Sequence, residues 1–172
     1  MGINKAFEKE FLVMGVLASY GSDFAPVRLR LVSEFGPVKE ETASQDFLWT
    51  DYYNKEMGQR IVRFYLLFEN LVDPETLADI KLSTNAIEAD FAQNGNRCFN
   101  LDPGLLAPGR FVLATTKDRA HRIALHDGIF AELTLIYEKG SFRALPWTYP
   151  DWASEPVRGM LAKWRKGLFT ER

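Results

Sequence analysis

The feature that most constrains this chain is a continuous apolar run near its start, Phe11 to Ala18. The run ends at Ser19-Tyr20-Gly21, which is typical of a turn. Apolar runs of this length without alternation are typical of strands buried on both faces. We therefore predict a buried strand here. Because 47% of the 172 residues are apolar, the chain can form a core without disulfide bonds.

The first part of the chain is predicted to hold six elements in the order strand, helix, strand, strand, helix, strand. They are a strand at 11–18, a helix at 24–35, strands at 47–50 and 61–68, a helix from Asp73-Pro74 to Asn94-Gly95, and a strand at 98–101. This is the order of a split βαβ, ferredoxin-like fold. Its natural packing is an antiparallel or mixed sheet with two helices on one face.

The remainder is predicted to be mostly β. It holds a strand at 110–116, a hairpin of 123–126 and 129–138 around Asp127-Gly128, a second turn at Lys139-Gly140 leading into 141–145, and a last helix capped by Ser154. The predicted class is α+β, with a ferredoxin-like βαββαβ core, an antiparallel β-hairpin extension and a C-terminal helix. We expect one domain over residues 1–172, with the core at about 10–105 and the extension at 106–172.

Charge and cysteine content limit the partners and the compartment. The formal net charge is −2, so no global field attracts nucleic acid or an anionic membrane. The single cysteine, Cys98, excludes an internal disulfide framework. Glu8 and Glu10 precede the apolar run, unlike the positive start of a secretion signal, and the run is too short to span a bilayer. We predict a cytoplasmic protein that has no membrane partner.

The main candidate site follows the strand at 110–116. It combines hydroxyls with cations or potential cations: Thr115, Thr116, Lys117, Arg119, His121 and Arg122. Phosphate and carboxylate ligands bind to such combinations, and loops at strand ends often carry sites. The alternative is a solvent-exposed turn whose charges keep the protein soluble. No glycine-rich phosphate-loop motif is present.

The register of the predicted hairpin divides this segment. If Asp127-Gly128 is a two-residue turn, His121 lies opposite Thr134 and diagonal to Glu132 on a polar face. Arg122 then points to the other face, which Ile129, Ala131, Leu133, Leu135 and Tyr137 make the core face. His121 and Glu132 are the candidate catalytic pair, with His121 as general acid or base and Glu132 orienting it. The alternative is a half-exposed cross-strand ion pair.

Three further residues are second-tier candidates for ligand binding: Asp51, Asp102 and Tyr149. Asn100 and Asp102 would share a face if extended, and two carboxylates with an asparagine could hold Mg²⁺. Asp102-Pro103-Gly104 favours a turn instead. Tyr149 belongs to an aromatic loop that either contacts a ligand or covers the sheet edge. With only two histidines zinc is not expected, so we predict no metal site, and whether the protein uses a cofactor is left open.

Four motifs resemble those of a bacterial family known as domain of unknown function family 4416. They are Thr50-Asp51-Tyr52-Tyr53 with Glu56-Met57-Gly58, then Asn100 to Gly104, then Ala114 to Asp118 with His121-Arg122, then Leu145 to Asp151. The resemblance spans nearly the whole chain in the same order. It implies a stand-alone cytoplasmic protein with one domain and carries no reaction, ligand or catalytic residue. Leu105 stands where the family pattern leads us to expect an aromatic residue.

The sequence favours a site that binds or processes a small phosphorylated or carboxylated ligand, such as a nucleotide. Whether it is an enzyme is left open. One alternative is an RNA-binding module, which ferredoxin-like sheets can form through exposed aromatic residues. Those aromatics are missing from the predicted strands, so nucleic acid is not the favoured partner. The other alternative is a non-catalytic partner-binding protein with a large exposed apolar patch. The oligomeric state is not predicted.

Overall fold

A computed structural model describes residues 2–170; Met1 and residues 171–172 of the predicted domain lie outside it. Two short 3₁₀ turns occur at Pro74–Thr76 and Lys166–Phe169. The other elements are β1 Glu10–Ser19, α1 Ala25–Phe35, β2 Val38–Glu41, β3 Gln45–Asp46, α2 Asn54–Met57, β4 Ile61–Val72, α3 Leu77–Asp90, β5 Phe99–Leu106, β6 Arg110–Thr115, β7 Arg122–Ala124, β8 Phe130–Glu138, β9 Ser141–Ala144, α4 Pro150–Ala153 and α5 Glu155–Arg165.

Within residues 2–170, all of the strands belong to one antiparallel sheet of nine strands. Seven follow the order β2-β4-β1-β5-β6-β8-β7, while β3 pairs with β4 and β9 pairs with β8. The predicted α+β class is confirmed. The sheet is larger than predicted, because β6 pairs directly with β5 and the strands after residue 106 continue the same sheet.

Strand β1 is buried on both faces, as its apolar run predicted. Leu12, Met14 and Val16 pack in a core layer with residues of α1 and α3. Phe11 and Val13, which alternate with them, pack in a second layer with residues of α5. The sheet therefore has α1 and α3 on one face and α5 on the other.

Two predictions about local structure are wrong, and one strand was not predicted. The predicted strand at 47–50 is a loop. In this segment only Gln45–Asp46, the two residues of β3, pair with β4, and the chain then turns away from the sheet. The edge strand β2 was not predicted because three of its four residues, Lys39, Glu40 and Glu41, are charged and give no apolar strand pattern. Charged residues are nevertheless typical of edge strands. The predicted turn at Asp102-Pro103-Gly104 lies inside β5, where Pro103 pairs with Met14 of β1.

The hairpin contains the predicted turn but not the predicted register. Asp127 and Gly128 both have positive φ, and the Ile129 N–H donates to the His126 carbonyl. The Leu125 N–H also donates to the Ile129 carbonyl, so two residues oppose Ile129 and form a bulge. The bulge shifts the ladder by one residue and places Arg122, instead of Ile123, opposite Glu132.

The predicted single core face of β8 is also wrong. A second irregularity lies where Phe111 pairs with Leu135 and the next residue, Val112, pairs with Leu133. As a result Ala131 packs against the layer of α1 and α3, whereas Leu135 packs in the layer of α5. Both faces of β8 therefore contribute to the core.

The helix predicted from Asp73-Pro74 is present but shorter. It starts as a 3₁₀ turn, continues as α3 and ends at Asp90. Asn94 and Gly95, which were predicted to stop it, form a separate turn with positive φ. Within residues 2–170, none of the helices combines the length and the apolar character needed to cross a bilayer.

Candidate functional site

The candidate site is an opening between β5 and β6. Strand β1 accompanies β5 from Phe99 onward, whereas β6 pairs only with Gly104–Leu106. Where the two strands part there is a cavity of about 640 Å³. Its lining includes Lys81 of α3, from one face of the sheet, and Trp152 of α4, from the other. The cavity therefore reaches through the sheet.

Helix α3 replaces the strand that β5 lacks at this point. Lys81 donates from Nζ to the Leu101 carbonyl at 2.8 Å, and the Leu101 N–H donates to Glu88 Oε1 at 2.6 Å. Lys81 is 6% exposed and Glu88 is 5% exposed. A buried main-chain group without a partner is costly, so these two side chains allow β5 to continue without a neighbouring strand.

Arg97 links α3 and α2 to the start of β5. Its guanidinium makes a two-bond pair with Glu56, at 2.8 and 2.9 Å. Its Nη1 donates at 3.0 Å both to Glu88 Oε2 and to Asn100 Oδ1. The Asn100 amide in turn donates to Asp102 Oδ1 at 2.9 Å. Asn100 and Asp102 thus share a face, as their spacing predicted.

Arg63 forms the buried centre of a second cluster. It is 6% exposed and donates from Nη1 to Asp102 at 3.0 Å, while its Nη2 lies 2.9 Å from Asp151 Oδ2. Gly15 of β1 makes room for it, since a Cβ there would lie 2.7 Å from Arg63 Nη2. The cluster joins β4, β5 and α4 beneath the cavity.

The two carboxyls of this cluster differ in acidity. Burial acts to raise the pKa of Asp102, but the charges of Arg63 and Lys81 outweigh it and hold that pKa below its ordinary value. Burial raises the pKa of Asp151, and Arg63 offsets only part of that increase. Burial also raises the pKa of the Tyr53 phenol, which also lines the cavity and stays protonated at neutral pH. At neutral pH, Asp102 is therefore a charged acceptor and Tyr53 a neutral donor.

The end of β6 supplies the basic part of the cavity. Lys117 donates from Nζ to the Tyr52 hydroxyl at 3.3 Å and lies 4.4 Å from the centre of that ring. Among residues 2–170, no carboxylate lies within ion-pair distance of Lys117. Arg122 donates from Nη1 to the Lys117 carbonyl at 2.7 Å and from Nε to Glu132 Oε2 at 2.7 Å. Arg122 therefore holds the segment that presents Lys117.

His121 lies beside Glu132 but not at the cavity wall. Its Nε2 is 3.0 Å from Glu132 Oε2, so the predicted contact is present. The imidazole stacks on the Trp147 ring, with centroids 4.8 Å apart. Because of the hairpin bulge, Arg122 reaches the same carboxylate, contrary to the prediction that it would point to the other face.

The structure brings most of the predicted candidates into one cavity. Those that line it are Thr115, Thr116, Lys117, Arg122, Glu132, Asp102 and Tyr149. Asp51, Arg119 and His121 are outside its lining. In the described part of the chain, no group of three or more histidine, cysteine, aspartate or glutamate residues is arranged to hold a metal ion.

The sequence reasoning missed three cations of the cavity lining: the buried Arg63 of β4, the buried Lys81 of α3 and the half-buried Arg97 that precedes β5. Arg63 had a usable signal, since it is a lone cation inside the apolar strand 61–68 and a buried charge needs a partner. Lys81 also had one, because it lies four residues after the buried Leu77 on the same helix. Arg97 lies in a loop without a recognisable pattern.

Comparison with known proteins identifies the family. Residues 8–167 match the model of a family described as domain of unknown function (DUF4416). No curated protein and no solved structure matches the chain. Since the match covers nearly the whole sequence, the chain belongs to the DUF4416 family.

Proposed function

We propose that this member of the DUF4416 family binds a small ligand carrying a phosphate or carboxylate group, such as a nucleotide, in the cavity between β5 and β6. The observation that carries the proposal is the composition of the lining. It contains five basic side chains and three acidic ones. The basic ones are Arg63, Lys81, Arg97, Lys117 and Arg122, and the acidic ones are Asp102, Glu132 and Asp151. A cavity of about 640 Å³ suits a ligand of nucleotide size.

Lys117 is the cation best placed to contact the anionic group. Arg63 and Arg97 are already paired with carboxylates, and Arg122 is bonded to Glu132 and to the main chain. Within residues 2–170, the ammonium group of Lys117 has only the Tyr52 hydroxyl as a hydrogen-bond partner. The Thr116 side chain, in the same exposed segment, adds a hydroxyl donor. An anion bound there would neutralise the positive charge of Lys117.

Aromatic residues at the cavity mouth favour a ligand with a planar ring. Trp49, Tyr52 and Tyr149 line the cavity and are 53%, 64% and 48% exposed. Exposed aromatic rings stack on bases and other planar groups. This supports a nucleotide within the wider class of anionic ligands.

The covered sheet weighs against the RNA-binding alternative. Helices α1 and α3 pack on one face and α5 on the other, so the central strands offer no open face for stacking single-stranded bases. A partner-binding role would use the exposed Leu48 and Trp49, but these belong to the loop beside the cavity. We therefore rank both alternatives below the small ligand.

If the bound ligand is transformed, the predicted roles of His121 and Glu132 need to be exchanged. Glu132 lines the cavity, whereas His121 stands behind it and is stacked on Trp147. Glu132 would then be the group that meets the ligand, and His121 would orient it. Catalysis itself remains a prediction.

The proposal also includes an assignment of the fold and an assignment of the cellular location. We propose that β1, α1, β2, β4, α3 and β5 form a ferredoxin-like unit, supported by the strand order β2-β4-β1-β5. We also propose a cytoplasmic location, supported by the single, buried and unpaired Cys98.

Thermal unfolding with inorganic phosphate, sugar phosphates and nucleotides tests the function. At a hundred times its dissociation constant, a ligand of the folded state adds about 2.7 kcal/mol of stability. We expect Lys117→Met to lose this stabilisation and Lys166→Met, an exposed lysine outside the cavity lining, to keep it. Absence of stabilisation across the panel, or equal stabilisation of both variants, would contradict the proposal.

A further inference from the structure

Within residues 2–170, only one of the two carboxylate oxygens of Glu132 has hydrogen-bond partners. Its Oε2 contacts His121 Nε2 at 3.0 Å and both Nε and Nη2 of Arg122 at 2.7 Å. Its Oε1 is buried and has no hydrogen-bond partner among residues 2–170. Glu132 is 1% exposed and belongs to the cavity lining. An unpaired buried acceptor at the wall of a cavity calls for an explanation.

The neighbours of Glu132 hold the carboxylate in this orientation. Arg122 is tied to the Lys117 carbonyl, so it cannot follow the carboxylate if that group turns. His121 is stacked on Trp147, whose Nε1 donates to the Leu133 carbonyl at 2.8 Å. Oε1 is therefore kept as an acceptor that nothing among residues 2–170 satisfies.

A second acceptor borders the same cavity. Asp102 receives one bond at each oxygen, from Asn100 and from Arg63, and its side chain is 26% exposed. A carboxylate has about four acceptor positions, so Asp102 can accept further donors. Both carboxylates repel a bare anion, so their place in the lining favours a ligand that also carries hydrogen-bond donors.

We infer that the ligand of this cavity presents hydrogen-bond donors, hydroxyl or amino groups, to Glu132 Oε1 and Asp102 in addition to its anionic group. This inference rests on the proposed function and narrows it to anionic ligands whose remainder carries such donors. The ribose of a nucleotide and a phosphorylated sugar both meet this requirement. Lys117 then selects the anion, and the two carboxylates select the rest of the molecule.

Titration calorimetry with three small probes tests the inference. Methyl phosphate supplies the anion alone, ribose 5-phosphate adds hydroxyls, and O-phosphoethanolamine adds an amine. We expect at least one of the donor-bearing probes to bind about tenfold or more tightly than methyl phosphate. The tighter of the two identifies the donor as hydroxyl or amine.

Glu132→Gln supplies the matched variant. The amide oxygen of glutamine can accept the bonds of Arg122, which turns an N–H₂ donor toward the position of Oε1. We expect this variant to lose the preference for donor-bearing probes and to bind methyl phosphate at least as well as the wild type. Glu138→Gln, on the same strand but exposed and paired with Arg143, should keep the preference.

Asp102→Asn provides an independent variant if Glu132→Gln fails to fold, and we expect it to weaken the same preference. Equal binding of all three probes by the wild type, or a preference unchanged in both variants, overturns the inference and leaves the anion site standing. Binding of none of the three probes, by a protein that nucleotides and sugar phosphates also fail to stabilise, overturns the inference together with the proposed function.

Discussion

At the scale of single residues, the site depends on a position that has no side chain. Gly15 lies in the middle of β1, opposite Tyr65 on β4 and Asp102 on β5. A Cβ at this position would lie 2.7 Å both from Arg63 Nη2 and from Trp152 Cζ2. Glycine therefore lets the Arg63 guanidinium and the Trp152 ring lie directly on the strand.

We expect Gly15→Ala to lower the free energy of unfolding by about 1–3 kcal/mol, because Arg63 and Trp152 are buried and cannot move without losing partners. Urea denaturation measures the change. Gly159→Ala in α5 is the matched control, since its Cβ would meet nothing within 4 Å. That variant should gain about 0.5–1 kcal/mol from helix propensity. A Gly15→Ala protein as stable as the wild type would contradict the close packing.

At the scale of elements, α3 acts both as a layer of the core and as a partner of β5. Its apolar residues pack on the sheet, and Lys81 and Glu88 bond the main chain of Leu101. The helix can do this because Lys81 and Glu88 lie seven residues apart, on one side of the helix. Both main-chain groups of Leu101 therefore have hydrogen-bond partners, although no strand pairs with β5 on that side at Leu101.

We expect Lys81→Met to destabilise the protein by about 1–3 kcal/mol, because it leaves the Leu101 carbonyl buried without a donor. The methionine keeps most of the side-chain volume, so the loss reports the missing hydrogen bond together with the missing positive charge beside Glu88 and Asp102. Lys166→Met is the surface control and should change stability by no more than about 0.5 kcal/mol. If the two variants unfold at the same urea concentration, the bridging role of Lys81 is wrong.

At the scale of the whole molecule, the two core layers cannot separate. Strand β1 contributes Leu12, Met14 and Val16 to the layer of α1 and α3, and Phe11 and Val13 to the layer of α5. Losing either layer would expose one face of the same central strand. The helices on both sides should therefore unfold in one transition.

We expect Leu161→Ala, at a fully buried position of α5, to cost about 2–5 kcal/mol. Circular dichroism, which follows the helices of both layers, should shift together with the fluorescence of the buried Trp152 and Trp164. Leu29→Ala in α1 is the control, because Leu29 is 71% exposed. Two separate transitions in Leu161→Ala would show that the layers are independent.

Local signals account for the part of the fold that could be predicted. The apolar run at 11–18 and the pairs Asp127-Gly128 and Lys139-Gly140 each fix their structure within a few residues. The bulge at Leu125-His126 has no such signal, since it depends on which residues of β8 face each core layer. Its effect is large because a shift of one residue changes the partner of every side chain in the ladder.

The candidate site was predictable where its residues are neighbours in the sequence. Thr115, Thr116 and Lys117 form one segment and do line the cavity. The charges behind them are paired over long separations, as with Arg63 and Asp102, which lie 39 residues apart. Such pairs follow only from the order of strands in the sheet, which the sequence alone left open.

The bonding of Leu101 to side chains has a consequence for how the opening can move. A neighbouring strand fixes the spacing of two backbones at about 4.8 Å. Lysine and glutamate side chains contain several rotatable bonds, so α3 can shift relative to β5 while both bonds to Leu101 persist. We therefore expect the width of the opening to adjust to its contents. Since the Leu101 N–H donates to Glu88, its amide hydrogen exchange would report the opening of the contact with α3 and not the separation of two strands.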